Sequence, residues 1–218
     1  MKVIALASRK GGAGKTTLTA HLAIAAEAAG VGRVAVIDTD PQGGLAGWWN
    51  ARAAATPAWV DPVRGLRATV AAARASGYGA LLIDTPPSLS ETIAEVLGVA
   101  DLVLIPVRPS PNDFRAVGAT VELAKRARRR MVFVISQATQ RARITAEAAI
   151  LLSQYGTVAP VMIHHRVDFA TSMTDGRTAG ELDPACRSAA EIAALWAYLN
   201  TLLTEDEHDA EDQSHAAQ

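Results

Sequence analysis

The chain has 218 residues, half of them hydrophobic and a fifth charged, which is enough for one sizeable core and makes one domain the default. The formal net charge of −1 hides an asymmetry: residues 204–218 hold six of the 22 acids and neither Lys nor Arg, leaving 16 acids against 21 basic residues, about +5, in the body. The single cysteine, Cys186, excludes an intramolecular disulfide and any iron–sulfur or multi-cysteine metal site built from one chain, and it suits a reduced cytosolic setting.

The first apolar run, residues 2–7 (KVIALA), reads as a buried strand that opens directly into SRKGGAGKTT, residues 8–17. No cationic, apolar and cleavable leader precedes it, and no later segment approaches about 18 to 20 uninterrupted apolar residues, so the expectation is a soluble cytoplasmic protein. After the loop, Leu18, Leu22, Ala25, Ala26 and Ala29 recur at helical spacing until Gly30 and Gly32. A glycine turn between strand and helix converges several N–H groups and adds the positive end of the helix, so its natural occupant is an anion. Gly14, Lys15 and Thr16 match the end of GxxxxGK[ST], where the Lys reaches the terminal phosphates and the hydroxyl ligates Mg2+. Arg9 replaces the first Gly of that pattern, and Lys10 is one lysine too many.

Residues 33–37 (RVAVI) form a second buried strand ending in Asp38-Thr39-Asp40-Pro41-Gln42-Gly43. In open α/β sheets ligands bind at the carboxyl ends of strands, so this acidic turn belongs beside the phosphate loop, where its carboxylates can hold a metal-bound water or cap the next helix. Trp48 and Trp49 follow on a short helix, and adjacent tryptophans cannot share one stripe. A weak strand near 58–63 and a helix at 65–77 lead to the strand at 78–83 (YGALLI), which ends in Asp84, the arrangement of a carboxylate that reaches Mg2+. A helix at 89–99 and the strand at 101–107 precede the rigid loop Arg108-Pro109-Ser110-Pro111-Asn112-Asp113, with Asp113 as candidate N-cap of a helix at 114–127.

That helix ends in a cluster with Lys125, Arg126, Arg128, Arg129 and Arg130, more cations than a helix end needs and a candidate for DNA phosphates. A strand at 131–136, the turn at 137–141, a helix at 143–154 and a strand at 158–163 follow. His164 and His165 are adjacent and lack metal-ligand spacing. A last helix is expected at 185–203, and the acidic segment 204–218 has almost nothing to bury, so it is expected to be disordered.

KGGAGKTT, DTDPQG and DTPPS together resemble the deviant Walker A, second acidic and Walker B motifs of the ParA/MinD family of P-loop ATPases, and the resemblance runs over residues 2–203. It implies a single doubly wound α/β domain, residues 1–203, with a mainly parallel sheet, similar to the short ParA/ParF type. Its cofactors would be ATP and Mg2+. Gly11, Gly12, Ala13, Gly14, Lys15, Thr16 and Thr17 would surround the phosphates, Thr16, Asp38 and Asp84 the metal, and Asp40 would orient the hydrolytic water. Lys10 would reach the partner's ATP in a homodimer bridged by nucleotide. PVRPSPND is close to the family segment near the nucleotide and dimer interface, the turn at 137–141 occupies the place that frames the adenine, and Arg166 and Arg187 match regions that bind DNA without sequence preference.

The function this implies is partition of a plasmid or chromosome origin by an ATP hydrolase associated with the nucleoid when ATP-bound, with a ParB-like partner stimulating hydrolysis. Positioning of another cargo, a carboxysome or chemoreceptor cluster, uses the same motor residues. A MinD-like membrane positioner would end in a basic amphipathic helix, whereas this chain ends in an acidic segment. A single cysteine excludes a nitrogenase-reductase relative, and a biotin-pathway ligase is separable by product assay.

Overall fold

The computed structural model describes residues 1–87 and 91–216, with side-chain surroundings as far as residue 205. Strands β1 (Lys2–Leu6), β2 (Val34–Asp38), β3 (Ala58–Trp59), β4 (Ala80–Asp84), β5 (Leu102–Val107), β6 (Arg130–Ile135) and β7 (Thr157–Val158) form one sheet in the order β3-β2-β4-β1-β5-β6-β7. Every neighbouring pair is parallel. The connections carry helices α1 (Lys15–Ala28), α2 (Gly44–Ala51), α3 (Leu66–Ala75), α4 (Glu91–Val99), α5 (Pro111–Arg126) and α6 (Arg143–Ser153), and after β7 come α7 (Val167–Met173), α8 (Ala179–Leu182) and α9 (Arg187–Ala216).

Alternate residues of β1 show why its apolar run is continuous. Ile4 and Leu6 pack in the cluster that includes Leu18 and Leu22 of α1 and Leu195 and Trp196 of α9, while Val3 and Ala5 face Val70 of α3 and Val96 of α4. Val103 and Ile105 of β5 and Phe133 of β6 pack with Val117 and Val121 of α5. Both faces of the sheet are therefore covered, as a parallel sheet requires. The chain leaves β1 for α1 on one face and leaves its neighbour β5 for α5 on the other, so a crevice opens between the carboxyl ends of these two strands.

Several boundaries differ from the sequence-based expectation for physical reasons. β4 starts at Ala80; Gly79 before it still bonds to both sides, its N–H donating to the Arg33 carbonyl and its carbonyl accepting the Lys2 N–H, and it must be glycine because a methyl group there would stand 1.7 Å from the Val31 carbonyl oxygen. The strand expected at 158–163 pairs regularly only at Thr157–Val158; Pro160 lacks an N–H for the ladder, and contact with β6 resumes where Ile163 N–H donates to the Ile135 carbonyl. Helix α5 begins at Pro111 with Ser110 as its N-cap, so Asp113 lies inside the first turn and is not the cap. Segment 164–183, for which the sequence predicts no element, contains α7 and α8. The last helix runs from Arg187 to Ala216, past the expected end at 203 and into the acidic segment that was expected to be disordered.

The two adjacent tryptophans find different elements. Trp48, 3% exposed, donates its indole N–H to the Arg177 carbonyl at 3.0 Å, and Trp49 donates to Pro57 at 2.8 Å beside the Trp59 ring.

Candidate functional site

Loop 7–14 connects β1 to α1, and two of its glycines have left-handed backbone: Gly12 at φ 75° and Gly14, the N-cap of α1, at φ 93°. An L-residue with a Cβ would be strained at either position. The loop's carbonyls are held from outside. Ser136 Oγ donates to Ala13 O at 2.8 Å, Gln137 Nε2 to Gly12 O at 2.6 Å, and Lys15 Nζ to Ser8 O at 3.3 Å. Among the described residues the N–H groups of 11–14 have no partner, so the cradle presents donors to an incoming anion. Lys15 is 7% exposed; burial draws its ammonium below the ordinary lysine value, against the nearby charges of Asp84 and Asp40.

Strand register assembles the acids. Leu6 is opposite Asp84, and Asp84 is opposite Asp38, so the ends of β1, β4 and β2 lie side by side. Asp84 is fully buried, and its Oδ2 accepts the Thr16 hydroxyl at 2.6 Å. Burial pushes its carboxyl up to about 7, opposed by the Thr16 hydrogen bond and reinforced by Asp38 and Asp40. A hydroxyl beside a buried, charge-starved carboxylate is a hard-oxygen donor pair that fits Mg2+.

Asp38 differs from the expected ligand. Its Oδ1 accepts the Asp40 N–H at 2.9 Å, and its Oδ2 accepts Leu45 and Ala46 N–H at 3.0 and 3.1 Å, so its carboxylate caps α2 and contributes to the metal position chiefly as charge. Among the described residues the Asp40 carboxylate accepts only the Gln42 N–H, at 3.0 Å, which leaves lone pairs available to a water.

Lys10 is not gathered into this cluster. It lies between β5 and α5, against Pro106, Val107, Ala116 and Val117, and its ammonium has no hydrogen bond or ion pair among the described residues. Thr17 borders a cavity of about 210 Å3 lined also by Gly14, Leu18, Gln137, His164 and Phe169, contiguous with the phosphate loop and suited to a flat base. Gln137 from the expected base-framing turn reaches it, but His164 was missed as a wall: Glu191 of α9 accepts its N–H at 3.0 Å and meets its Nδ1 at 2.8 Å. A larger apolar cavity of about 730 Å3, between α1, α8 and α9, lies away from the acids.

The candidate DNA residues are scattered and partly committed. Arg166 pairs with Glu191 at 2.5 Å, and its Nε has no partner among the described residues. Arg129 donates to the Gly98 carbonyl at the end of α4 and Arg130 to Leu202 of α9. Arg128 and Arg187 are exposed. Arg128, Arg129 and Arg130 lie where α5 ends and β6 begins, at the sheet edge opposite the phosphate loop, whereas Arg166 lies beside the base cavity.

Comparison with known proteins agrees with this geometry. The family model CbiA, described as the CobQ/CobB/MinD/ParA nucleotide binding domain, matches residues 4–179. The chain is similar to the maintenance of carboxysome distribution protein A of Halothiobacillus neapolitanus, 30% identical over 203 residues that cover 86% of this chain and 91% of the relative. The protein of the same description from Gloeobacter kilaueensis is 36% identical over 125 residues, 56% of each chain. Among solved structures, a chain of the MinC:MinD cell division protein complex of Aquifex aeolicus has a TM-score of 0.75 at 20% identity, covering 92% of this chain and 96% of that one, which speaks to the fold.

Proposed function

The chain belongs to the CobQ/CobB/MinD/ParA nucleotide-binding family, and from that premise we propose that it is a ParA-type ATPase that distributes a protein assembly of the carboxysome kind over DNA, switching between an ATP-bound dimer and free subunits. The observation that carries the ATPase reading is the Thr16 hydroxyl 2.6 Å from the buried Asp84 carboxylate at the edge of the phosphate loop. ATP and Mg2+ are the ligands of this site. The cargo reading is supported by the relative matched over 86% of the chain. Partition of a plasmid or origin with a ParB-like partner, the main expectation from the motifs alone, has less support from these relatives and becomes the second outcome of the test.

In this reading the backbone N–H groups of 11–14 and Lys15 hold the phosphates, and Thr16 and Asp84 hold Mg2+, with Asp38 adding charge. Mg2+ there supplies positive charge to the terminal phosphates during phosphoryl transfer. Asp40 orients the attacking water. Lys10, whose ammonium has no partner among the described residues, reaches the partner's nucleotide, so that dimerisation completes the charge set.

Two variants separate these roles. Asp40→Ala is expected to dimerise with ATP while turnover drops by about 100-fold or more, whereas Lys10→Ala is expected to stay monomeric with ATP in analytical ultracentrifugation. A Lys10→Ala protein that dimerises and turns over normally removes the cross-subunit role. In cells, deletion of the gene should cluster the protein assembly and leave plasmid inheritance intact; plasmid loss with normally spaced assemblies selects the partition reading instead.

A further inference from the structure

The loop after β5 brings a second cation to the phosphate loop. Arg108 follows Val107, the last residue of β5, at the crevice between β1 and β5. Its Nε and Nη2 donate side-on to the two oxygens of Asp113, at 3.1 and 3.2 Å. Asp113 is 2% exposed and is itself fixed, since Oδ2 accepts the Ser110 hydroxyl at 2.5 Å and its N–H donates back to Ser110 Oγ at 3.2 Å. The guanidinium plane is thereby held in one orientation.

Its remaining nitrogen has no such role. Nη1 has no hydrogen bond among the described residues, and a methyl group on Gly12 would stand 3.7 Å from it. If the pair served only to brace the turn into α5, Nε and Nη2 would suffice. Instead a permanent charge with two unused donors faces a cradle of free N–H groups. The base cavity borders the loop at Gly14 and Thr17, and Gln137, which also lines it, holds the Gly12 carbonyl from that side, while Arg108 Nη1 lies near Gly12 from the side of β5.

We propose that Arg108 contacts the terminal phosphate of the nucleotide held by its own subunit, with Asp113 as the positioning residue that aims it. The inference rests on the ATPase reading above. It makes Arg108 a sensor of the third phosphate, since a guanidinium placed there binds triphosphate and diphosphate unequally and adds charge where it develops in transfer.

The test uses the full-length protein and equilibrium binding of ATPγS and of ADP, together with steady-state hydrolysis. Arg108→Ala is expected to bind ATPγS about 10-fold more weakly while ADP binding changes less than about 2-fold, and kcat is expected to fall about 100-fold. Arg108→Lys keeps the charge without the fork and should lie between. Asp113→Asn should weaken ATPγS selectively while its circular dichroism matches wild type, which a merely structural role would not produce. Equal losses for ATPγS and ADP, or no loss for either, overturn the inference; if Arg108→Ala does not fold, the same comparison in Arg108→Lys decides. A wild-type protein that fails to bind ATPγS removes the ATPase reading and this inference together, whereas normal wild-type binding with unaffected Arg108 variants removes this inference alone.

Discussion

His21 sits 2% exposed on α1 with both ring nitrogens occupied: Nδ1 meets the Thr17 carbonyl at 2.8 Å, and Nε2 accepts the Ala179 N–H at 3.0 Å. The Nε2 contact requires a lone pair, so the pocket selects the neutral ring protonated on Nδ1. Burial lowers its pKa from the ordinary 6.5 to about 4, with the Thr17 contact and Glu181 opposing. A histidine depressed in the fold binds its proton more readily when unfolded, so its stabilisation is complete above about pH 6.5 and is lost as pH falls towards 4. Between pH 7 and 5 the loss from this one group is about 2 kcal/mol. Asp84, raised to about 7 by burial, titrates in the opposite sense, so the measurement is a comparison. Urea unfolding of wild type and His21→Gln at both pH values should show a shallower acid loss in the variant; parallel profiles would remove His21 as the acid-sensitive group.

At the scale of elements, the four-residue helix α8 stands where the sequence predicts no element. Its signal was present as Thr178-x-x-Glu181: the Thr178 side chain accepts the N3 N–H, and Glu181 reaches back to the Thr178 N–H at 2.7 Å. The same Glu181 carboxylate receives both terminal nitrogens of Arg52, whose side chain is 2% exposed and lies over the Trp48 ring at 4.7 Å. Glu181→Ala therefore uncaps α8 and leaves a buried guanidinium with its carbonyl partners alone, and chemical denaturation should show a loss of about 3 kcal/mol. A loss below about 1 kcal/mol would mean that Arg52 finds water. What was legible divides along the same line. Continuous apolar runs ending in Asp38 and Asp84 placed β2, β4 and the acids correctly, because burial on both faces of a parallel sheet writes itself into the sequence. Capping of α2 was one of the two readings open to the acidic turn, and Asp38 takes that role; the truncation of β7 around Pro160 and the packing of Gly79 beneath Val31 were not legible, since each depends on which backbone arrives from elsewhere in the chain.

For the whole molecule, charge is the property that proposed DNA binding would use. The body carries about +5, and the structure decides which of those charges are spent. Arg166, the residue singled out by resemblance, is tied to Glu191, which it shares with His164 at the base cavity, and Arg129 and Arg130 close carbonyls at the end of α4 and on α9. Lys125, Arg126 and Arg128 remain exposed where α5 ends. Because α5 starts at the nucleotide edge and ends at the opposite one, a dimer closed across its nucleotides leaves these three uncovered. Each phosphate contact contributes about 0.9 to the slope of log affinity against log salt, so Lys125→Ala/Arg128→Ala should lower the slope by about 2 per subunit for arbitrary duplex DNA in the presence of ATP. Arg166→Ala should act differently, leaving Glu191 without its cation and lowering thermal stability while the slope stays near wild type. If the double variant keeps the wild-type slope and Arg166→Ala loses it at unchanged stability, the DNA surface lies beside the base cavity and not at the far edge of the sheet.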